Sequence, residues 1–372
     1  MPDAIITRVS LAQNPGYALP GYGLPEPPAM TFAARLVAAW YAPRLTPLAL
    51  LLVPLSVPFT GVAALRRALY RVGLLRAQRL PVPVIVVGNI TVGGSGKTPL
   101  VAALAGELAA RGWRPGIVSR GYGRQKGTGA GEAPLLVGRE SDPALAGDEP
   151  VLLARAGFPV AVASDRVAAA FALLAAHPEC NVIVADDGLQ HLRLARDVEI
   201  AVIDAARGFG NGWRLPAGPL REAPARLATV DAVVALCRDD GRAPAAWPGA
   251  LSMTLAGEIF HRVNAPDVTV GADAFHGAGV HALAGIGNPE RFFAQLRALG
   301  IAAAEHPLPD HHRFSAADLA LPGATAIVMT EKDAVKCAGL ADDRCWYLPV
   351  RARTDPALVT RIEEKIRGPQ AA

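Results

Sequence analysis

Cysteine is scarce in this chain. Cys180, Cys237, Cys337 and Cys345 are the only four in 372 residues, and they form no C-x-x-C pair and no zinc-ligand spacing. That argues against a disulfide framework or a structural zinc site and fits reduced thiols in a cytosolic compartment. Aromatic residues make up only 6%, and no strip interleaves them with basic residues. Base stacking is therefore not expected, and nucleic acid ranks last among acidic partners. The chain also lacks the basic start, apolar core and cleavage site of a signal peptide, and it carries no internal repeat. Charge of one sign is barely in excess, at 37 Lys and Arg against 33 Asp and Glu. The net charge of +4 weakly favours an anionic partner such as acidic lipid or a phosphorylated substrate.

Charge is missing altogether between Arg44 and Arg66, where the apolar run from Pro47 to Leu65 lies. A bilayer crossing needs roughly 20 residues, so the run is about long enough. Pro47, Pro54 and Pro58 argue against a straight spanning helix. Arg66, Arg67, Arg71, Arg76 and Arg79 follow at once. An apolar segment beside a polybasic one predicts attachment to an anionic membrane surface, at a depth left open. A buried helical hairpin packed on the core is the alternative. The Pro- and Gly-rich stretch from Asn14 to Pro28 has no apolar periodicity, so residues 1–29 are expected to form a disordered leader. Either translation starts at Met30, or what precedes it is a dispensable tail. Residues 30–80 then form a membrane-associated helical segment.

Val84 to Val87 is an unbroken apolar run, the pattern of a parallel strand covered on both faces. It leads into Thr91, Val92, Gly93, Gly94, Ser95, Gly96, Lys97 and Thr98, followed by Pro99 and helix-compatible sequence. The glycines let the backbone turn its N–H groups toward one anion. Lys97 can reach the β- and γ-phosphates of a nucleotide, and the Thr98 hydroxyl can ligate Mg²⁺. The helix N-terminus adds to the attraction. Thr91 stands where the usual G-x-x-x-x-G-K-[ST] pattern has its first glycine, but strand, loop and helix keep the required order. A nucleoside triphosphate is the expected ligand, with Mg²⁺ at Thr98.

From Pro83 onward strands and helices alternate, which predicts an α/β fold with a P-loop NTPase-type parallel sheet flanked by helices. The P-loop core is assigned to residues 81–250. The stretch from Leu251 to Val263 becomes more strand-like and polar and reads as a connector to a smaller C-terminal α/β domain within 251–372. In the core, Asp186 and Asp187 end the apolar run from Asn181 to Ala185. Ligands sit at that end of a parallel sheet, and carboxylates there can hold Mg²⁺ beside phosphates. A helix cap or an Asp-Gly turn is the alternative. Gln190 and His191 are not decided by the residues alone. Asp148, in Gly147-Asp-Glu-Pro150, reads by itself as a helix cap, and the Asp310-His311 pair reads as structural. Only if the two meet across a cleft would they supply a base and its partner for a hydroxyl.

Taken together, GNITVGGSGKTP, VSRGYGR, GDEP, DDGLQH, LPAGPLRE and PDHH resemble the tetraacyldisaccharide 4′-kinases, from about Met30 to the C-terminus. The resemblance implies ATP- and Mg²⁺-dependent phosphorylation of the 4′-hydroxyl of a lipid A precursor, a tetraacyl disaccharide 1-phosphate. It places the enzyme at the cytoplasmic face of the bacterial inner membrane. By the same resemblance Thr91 to Thr98 bind ATP, Asp186 and Asp187 lie at the metal, and Asp148 is the base with His311 as partner. Ser119, Arg120, Arg221 and Glu222 become candidates for substrate contact. The residues alone also admit a membrane-associated regulatory ATPase, although Val92 stands where partitioning ATPases carry a lysine.

Overall fold

The computed structural model describes residues 32–121, 133–237 and 247–367. The expected leader, Met30, and Tyr122 to Arg124 of the VSRGYGR motif lie outside the described residues. Two sheets organise the rest. The larger has nine strands among the described residues, in the spatial order Arg351–Thr354, Leu251–Ala256, Ala232–Leu236, Val198–Asp204, Val84–Gly88, Val182–Asp186, Pro115–Ser119, Val160–Val162 and Leu135–Val137. The two edge strands are antiparallel to their neighbours, and all interior pairings are parallel.

The apolar runs explain the layering. Val84–Gly88 is buried along its whole length. Ile85 and Val87 face the helices Lys97–Ala110, Asp148–Arg155 and Ala357–Arg367, while Val84 and Val86 face the helix Arg166–Ala176. Period-two alternation thus feeds two cores, and neither face of the strand is left to water.

The smaller sheet runs Thr269–Val270, Phe260–Arg262, Cys345–Leu348, Ala326–Thr330, Val280–Ala284 and Ala304–Pro307. One face packs against Phe292, Phe293 and Leu296 of the helix Pro289–Ala298. The other packs against Ala334 and Cys337 of the helix Glu331–Cys337.

One expectation is corrected. The segment from Leu251 to Val263 is not a connector. Its first half is a strand of the large sheet and its second a strand of the small one, so the boundary expected at 251 falls inside the large sheet. The chain also returns there at Arg351–Thr354, and Leu358, Val359 and Ile362 of the last helix are buried in the large core. Pro54 and Pro58 do not end the apolar helix. Both lie inside one helix of 25 residues, Pro47–Arg71, which continues across them although each proline removes a backbone donor.

That helix does not form a buried hairpin. Leu51 is 75% exposed, and Leu50, Leu55, Val57, Val62 and Leu65 are exposed as well. Only a narrow stripe is tied down. Ser56 Oγ donates to Arg214 O at 2.9 Å and accepts from Ala217 N at 3.2 Å, and Arg67 is ion-paired with Glu222.

Candidate active site

Parallel strands collect their C-terminal ends, and here those ends from both sheets open on one cleft of about 1110 Å³. The glycine-rich loop follows Val84–Gly88. Gly93 and Gly96 have φ of 106° and 82°, a left-handed backbone that a side chain would strain. A Cβ on Gly96 would also stand 3.0 Å from Leu236. The helix begins at Lys97, with Gly96 as its N-cap. Thr91 replaces a glycine without harm because its strand-like backbone bridges to Leu220, and Val92 N donates to Pro219 O at 2.8 Å. Asn89, which sequence reasoning passed over, sits beneath the loop and donates to Ser95 Oγ at 3.0 Å.

The two aspartates differ sharply. Asp186 is buried at the strand end, with Thr98 Oγ1 3.3 Å from its Oδ2 and no hydrogen-bond partner for Oδ1 among the described residues. Burial, with the Glu149 charge adding to it, pushes its carboxyl well above the ordinary range. Asp187 turns out of the strand with φ 50°. Burial opposes its ionisation too, but Lys97 and Arg221 outweigh it and hold the carboxyl at about 2. Lys97 Nζ is 3.7 Å from Asp187, and Arg221 Nη1 is 3.0 Å from both carboxylate oxygens. This is a turn rather than a helix cap.

Gln190 is resolved by its partners. It donates to Asn89 O at 3.0 Å and to Glu222 Oε1 at 2.8 Å, and it accepts from Arg221 at 3.2 Å. The loop, Asp187 and Glu222 are thereby joined. Glu222 is 4% exposed, and its other oxygen is held by Arg67, so it sits behind the cleft as a support. His191 stands 3.5 Å from Asp165. Burial, with Arg166 nearby, pushes its ring down to about 4, which keeps it neutral. Ser119 is buried, and Arg120 is exposed at the cleft wall.

Asp148 and His311, 163 residues apart, meet at 3.1 Å between Oδ2 and Nδ1. Asp148 does not cap its helix, because Gly147 occupies that position with φ 95° and leaves Asp148 as the first helical residue. Its Oδ2 is therefore turned toward the small sheet. His311 carries φ 59°; with Asp187 it is one of the two non-glycine residues of positive φ among the described residues. Such strain concentrates at functional sites. Burial would raise Asp148, yet the His311 hydrogen bond and Lys332 hold its carboxyl below the ordinary range. Burial would lower His311, yet the Asp148 hydrogen bond raises it. The pair therefore favours a carboxylate beside an imidazolium.

Lys332, Arg207 and Arg291 also escaped the sequence reading. Lys332 Nζ lies 3.8 Å from Asp148 Oδ2. Arg291 donates to Gly94 O at 3.0 Å and to Asp204 at 2.7 Å, and Arg207 donates to Gly287 O at 3.1 Å. These arginines clasp the small sheet onto the glycine-rich loop. The one available signal was their spacing from strand ends.

A glycine-rich loop with Lys97, Asp187 and His311 lining one cleft, backed by the buried Asp186 and Asp148, has the parts of a phosphotransferase. A family model described as Tetraacyldisaccharide-1-P 4'-kinase matches residues 48–367, and the chain belongs to that family. A tetraacyldisaccharide 4'-kinase of Dechloromonas aromatica (strain RCB) is 52% identical over 343 residues, which is 91% of this chain and 99% of that protein. One from Azoarcus sp. (strain BH72) is 53% identical over 322 residues, 86% of this chain and 93% of that protein. A crystal structure of LpxK from Aquifex aeolicus in complex with ATP superimposes with a TM-score of 0.69 at 29% identity. It covers 86% of this chain and 99% of its own.

Proposed function

We propose that this protein transfers the γ-phosphoryl group of ATP to the 4′-hydroxyl of a tetraacyl glucosamine disaccharide 1-phosphate, a late step of lipid A biosynthesis. The observation that carries the reading is the Asp148–His311 pair, 3.1 Å apart, in which His311 lines the cleft that holds the glycine-rich loop and Asp148 is buried behind it. A regulatory ATPase needs no such acceptor base, whereas transfer to a sugar hydroxyl does.

In this reading Thr91 to Thr98 form a P-loop that cradles the nucleotide phosphates through backbone N–H groups, with Lys97 as their counter-charge. Mg²⁺ fits the residues present. Asp186 Oδ1 is buried without a partner among the described residues, and Thr98 Oγ1 stands beside the same carboxylate. Thr98 and Asp186 would hold the ion with Asp187 next to them, and phosphate oxygens would complete a set for which no three-residue protein cluster is needed. The ion when bound neutralises charge on the transferred group.

Asp187 would stay ionised through Lys97 and Arg221, and Arg221 is placed to follow charge onto the phosphates. Ser119 and Arg120 would border the acceptor, with Glu222 fixing Arg221 through Gln190. As the acceptor oxygen bonds to the γ-phosphorus, the bridging P–O bond to the β-phosphate breaks and ADP leaves. The hydroxyl proton passes to the Asp148 carboxylate, which His311 orients. Proton removal is late in a loose transition state, so a carboxylate of low pKa suffices.

The exposed apolar helix Pro47–Arg71, with a mean hydropathy of 2.1 over its most apolar window, would lie at the cytoplasmic face of the inner membrane beside a lipid acceptor. Incubation with ATP and the tetraacyl disaccharide 1-phosphate, followed by mass analysis of the lipid, tests the reading. A gain of one phosphate on the lipid is expected; release of free phosphate with unchanged lipid would overturn it.

A further inference from the structure

Lys332 sits where its charge is unfavourable to its own helix. It is the second residue of Glu331–Cys337, a first turn that favours anions, yet its side chain is only 16% exposed. The ammonium instead reaches three carboxylates. It is 3.0 Å from Glu149 Oε1, 3.4 Å from Asp310 Oδ1 and 3.8 Å from Asp148 Oδ2. Asp148 and Glu149 open a helix on the large sheet, whereas Asp310 and Lys332 follow strands of the small sheet. Burial of a lysine disfavours its charge, but these carboxylates outweigh burial and hold it firmly protonated.

Asp310 in turn accepts from His311 N at 3.1 Å. A left-handed backbone at His311 persists only where its surroundings fix it, and the Lys332–Asp310–His311 chain is such a fixture. The charged groups about the pair are Asp310 from the His311 loop and Lys332 and Lys336 from the small sheet's helix, with Glu149 from the large sheet's helix paired to Lys332.

We propose that Lys332 is a positioning residue for phosphoryl transfer, its ammonium joining Asp148, Glu149 and Asp310 across the cleft so that the Asp148–His311 pair is held at the acceptor hydroxyl. The inference rests on the kinase reading above. With the ammonium removed, Asp148, Glu149 and Asp310 lose their shared counter-charge, and mutual repulsion moves the pair off its geometry. A displacement of about 1 Å is enough to cost about a hundredfold in rate.

The full chain carrying Lys332→Met or Lys332→Arg tests this, assayed with ATP and the lipid acceptor and followed by NMR of labelled histidine. Lys332→Met should lower kcat about a hundredfold with KM for ATP near the wild-type value, because the glycine-rich loop is untouched. Lys332→Arg should recover much of the loss. The His311 titration should move to higher pH in Lys332→Met, since one neighbouring cation is gone. Should Lys332→Met melt below the assay temperature, Asp310→Asn carries the same kcat test.

Wild-type kcat in Lys332→Met, or in Asp310→Asn where that variant is used, overturns the proposal. So does a large rise in KM for ATP shared by the Met and Arg variants, which would make Lys332 a nucleotide contact. Absence of lipid phosphorylation by the wild type would instead fell the kinase reading, and the His311 titration would still report on the Lys332 contact.

Discussion

Replacing Asp148 and His311 by alanine, singly and together, separates a catalytic unit from two neighbours. The Asp148 side chain is 5% exposed and bonded to His311 at 3.1 Å. In His311→Ala the carboxylate still faces Lys332 at 3.8 Å. At an effective dielectric of about 20 that attraction is about 4 kcal/mol, and it favours the ionised form of Asp148. The base therefore survives and loses only its orientation, so a loss of about tenfold to a hundredfold is expected. In Asp148→Ala the proton acceptor itself is gone, and a loss of about a hundredfold to ten-thousandfold follows. Initial rates of phosphate transfer to the lipid in mixed micelles, at saturating ATP and acceptor, measure both, with melting curves to show that each variant folds. Because the histidine acts only through the aspartate, the double mutant should match Asp148→Ala. A double mutant whose loss equals the product of the two singles would refute the shared role.

Lys97→Ala should abolish transfer while the protein stays folded, and near-normal kinase activity would remove the loop assignment; freed of Lys97, the Asp187 carboxyl should titrate above its present value of about 2. Asp186→Ala and Asp187→Ala should each cost on the order of a hundredfold in turnover, with unchanged turnover and Mg²⁺ dependence in both as the refuting result. Leu51→Glu combined with Val62→Glu, at positions 75% and 68% exposed, should leave the fold intact and abolish co-sedimentation with anionic vesicles; full retention would locate the anchor elsewhere. Stability should show the pair as well. The raised His311 contributes fully below about pH 6.5 and loses its contribution as pH rises through its folded value, while the lowered Asp148 contributes above about pH 3.9 and loses it as pH falls. The melting difference between wild type and double mutant should therefore be largest between those values and shrink by pH 9; a difference that grows toward pH 9 would contradict the assignment.

The central strands were legible because they are covered on both faces. Val84 to Val87 and Val182 to Ala185 must be apolar at every position, and a continuous run is hard to mistake. The edges obey the opposite rule. Arg351–Thr354 is half exposed and carries two arginines, so its pairing with Leu251–Ala256 leaves no apolar signature. Leu251 to Val263 reads as strand-like and polar, but strands only partly buried do not reveal which sheet each one joins, so the boundary at 251 was misplaced. Pro54 and Pro58 lie inside the helix Pro47–Arg71, so they bear on its straightness and not on its existence.

At the site, chemistry written in contiguous residues could be read and chemistry assembled across the cleft could not. The loop from Thr91 to Thr98 and the Asp186–Asp187 pair each carry their logic within a few residues. Asp148 and His311 came together only through resemblance, because neither sequence neighbourhood distinguishes a base from a cap. Lys332 lay a step further out of reach, although one local anomaly marked it. A lysine in the first turn of a helix, followed at once by an aspartate that serves the turn itself, sets a cation against the helix dipole. Such a placement persists when carboxylates from elsewhere in the fold outweigh the dipole, and here three do. Local conflict of this kind points to a long-range partner even before the partner can be named.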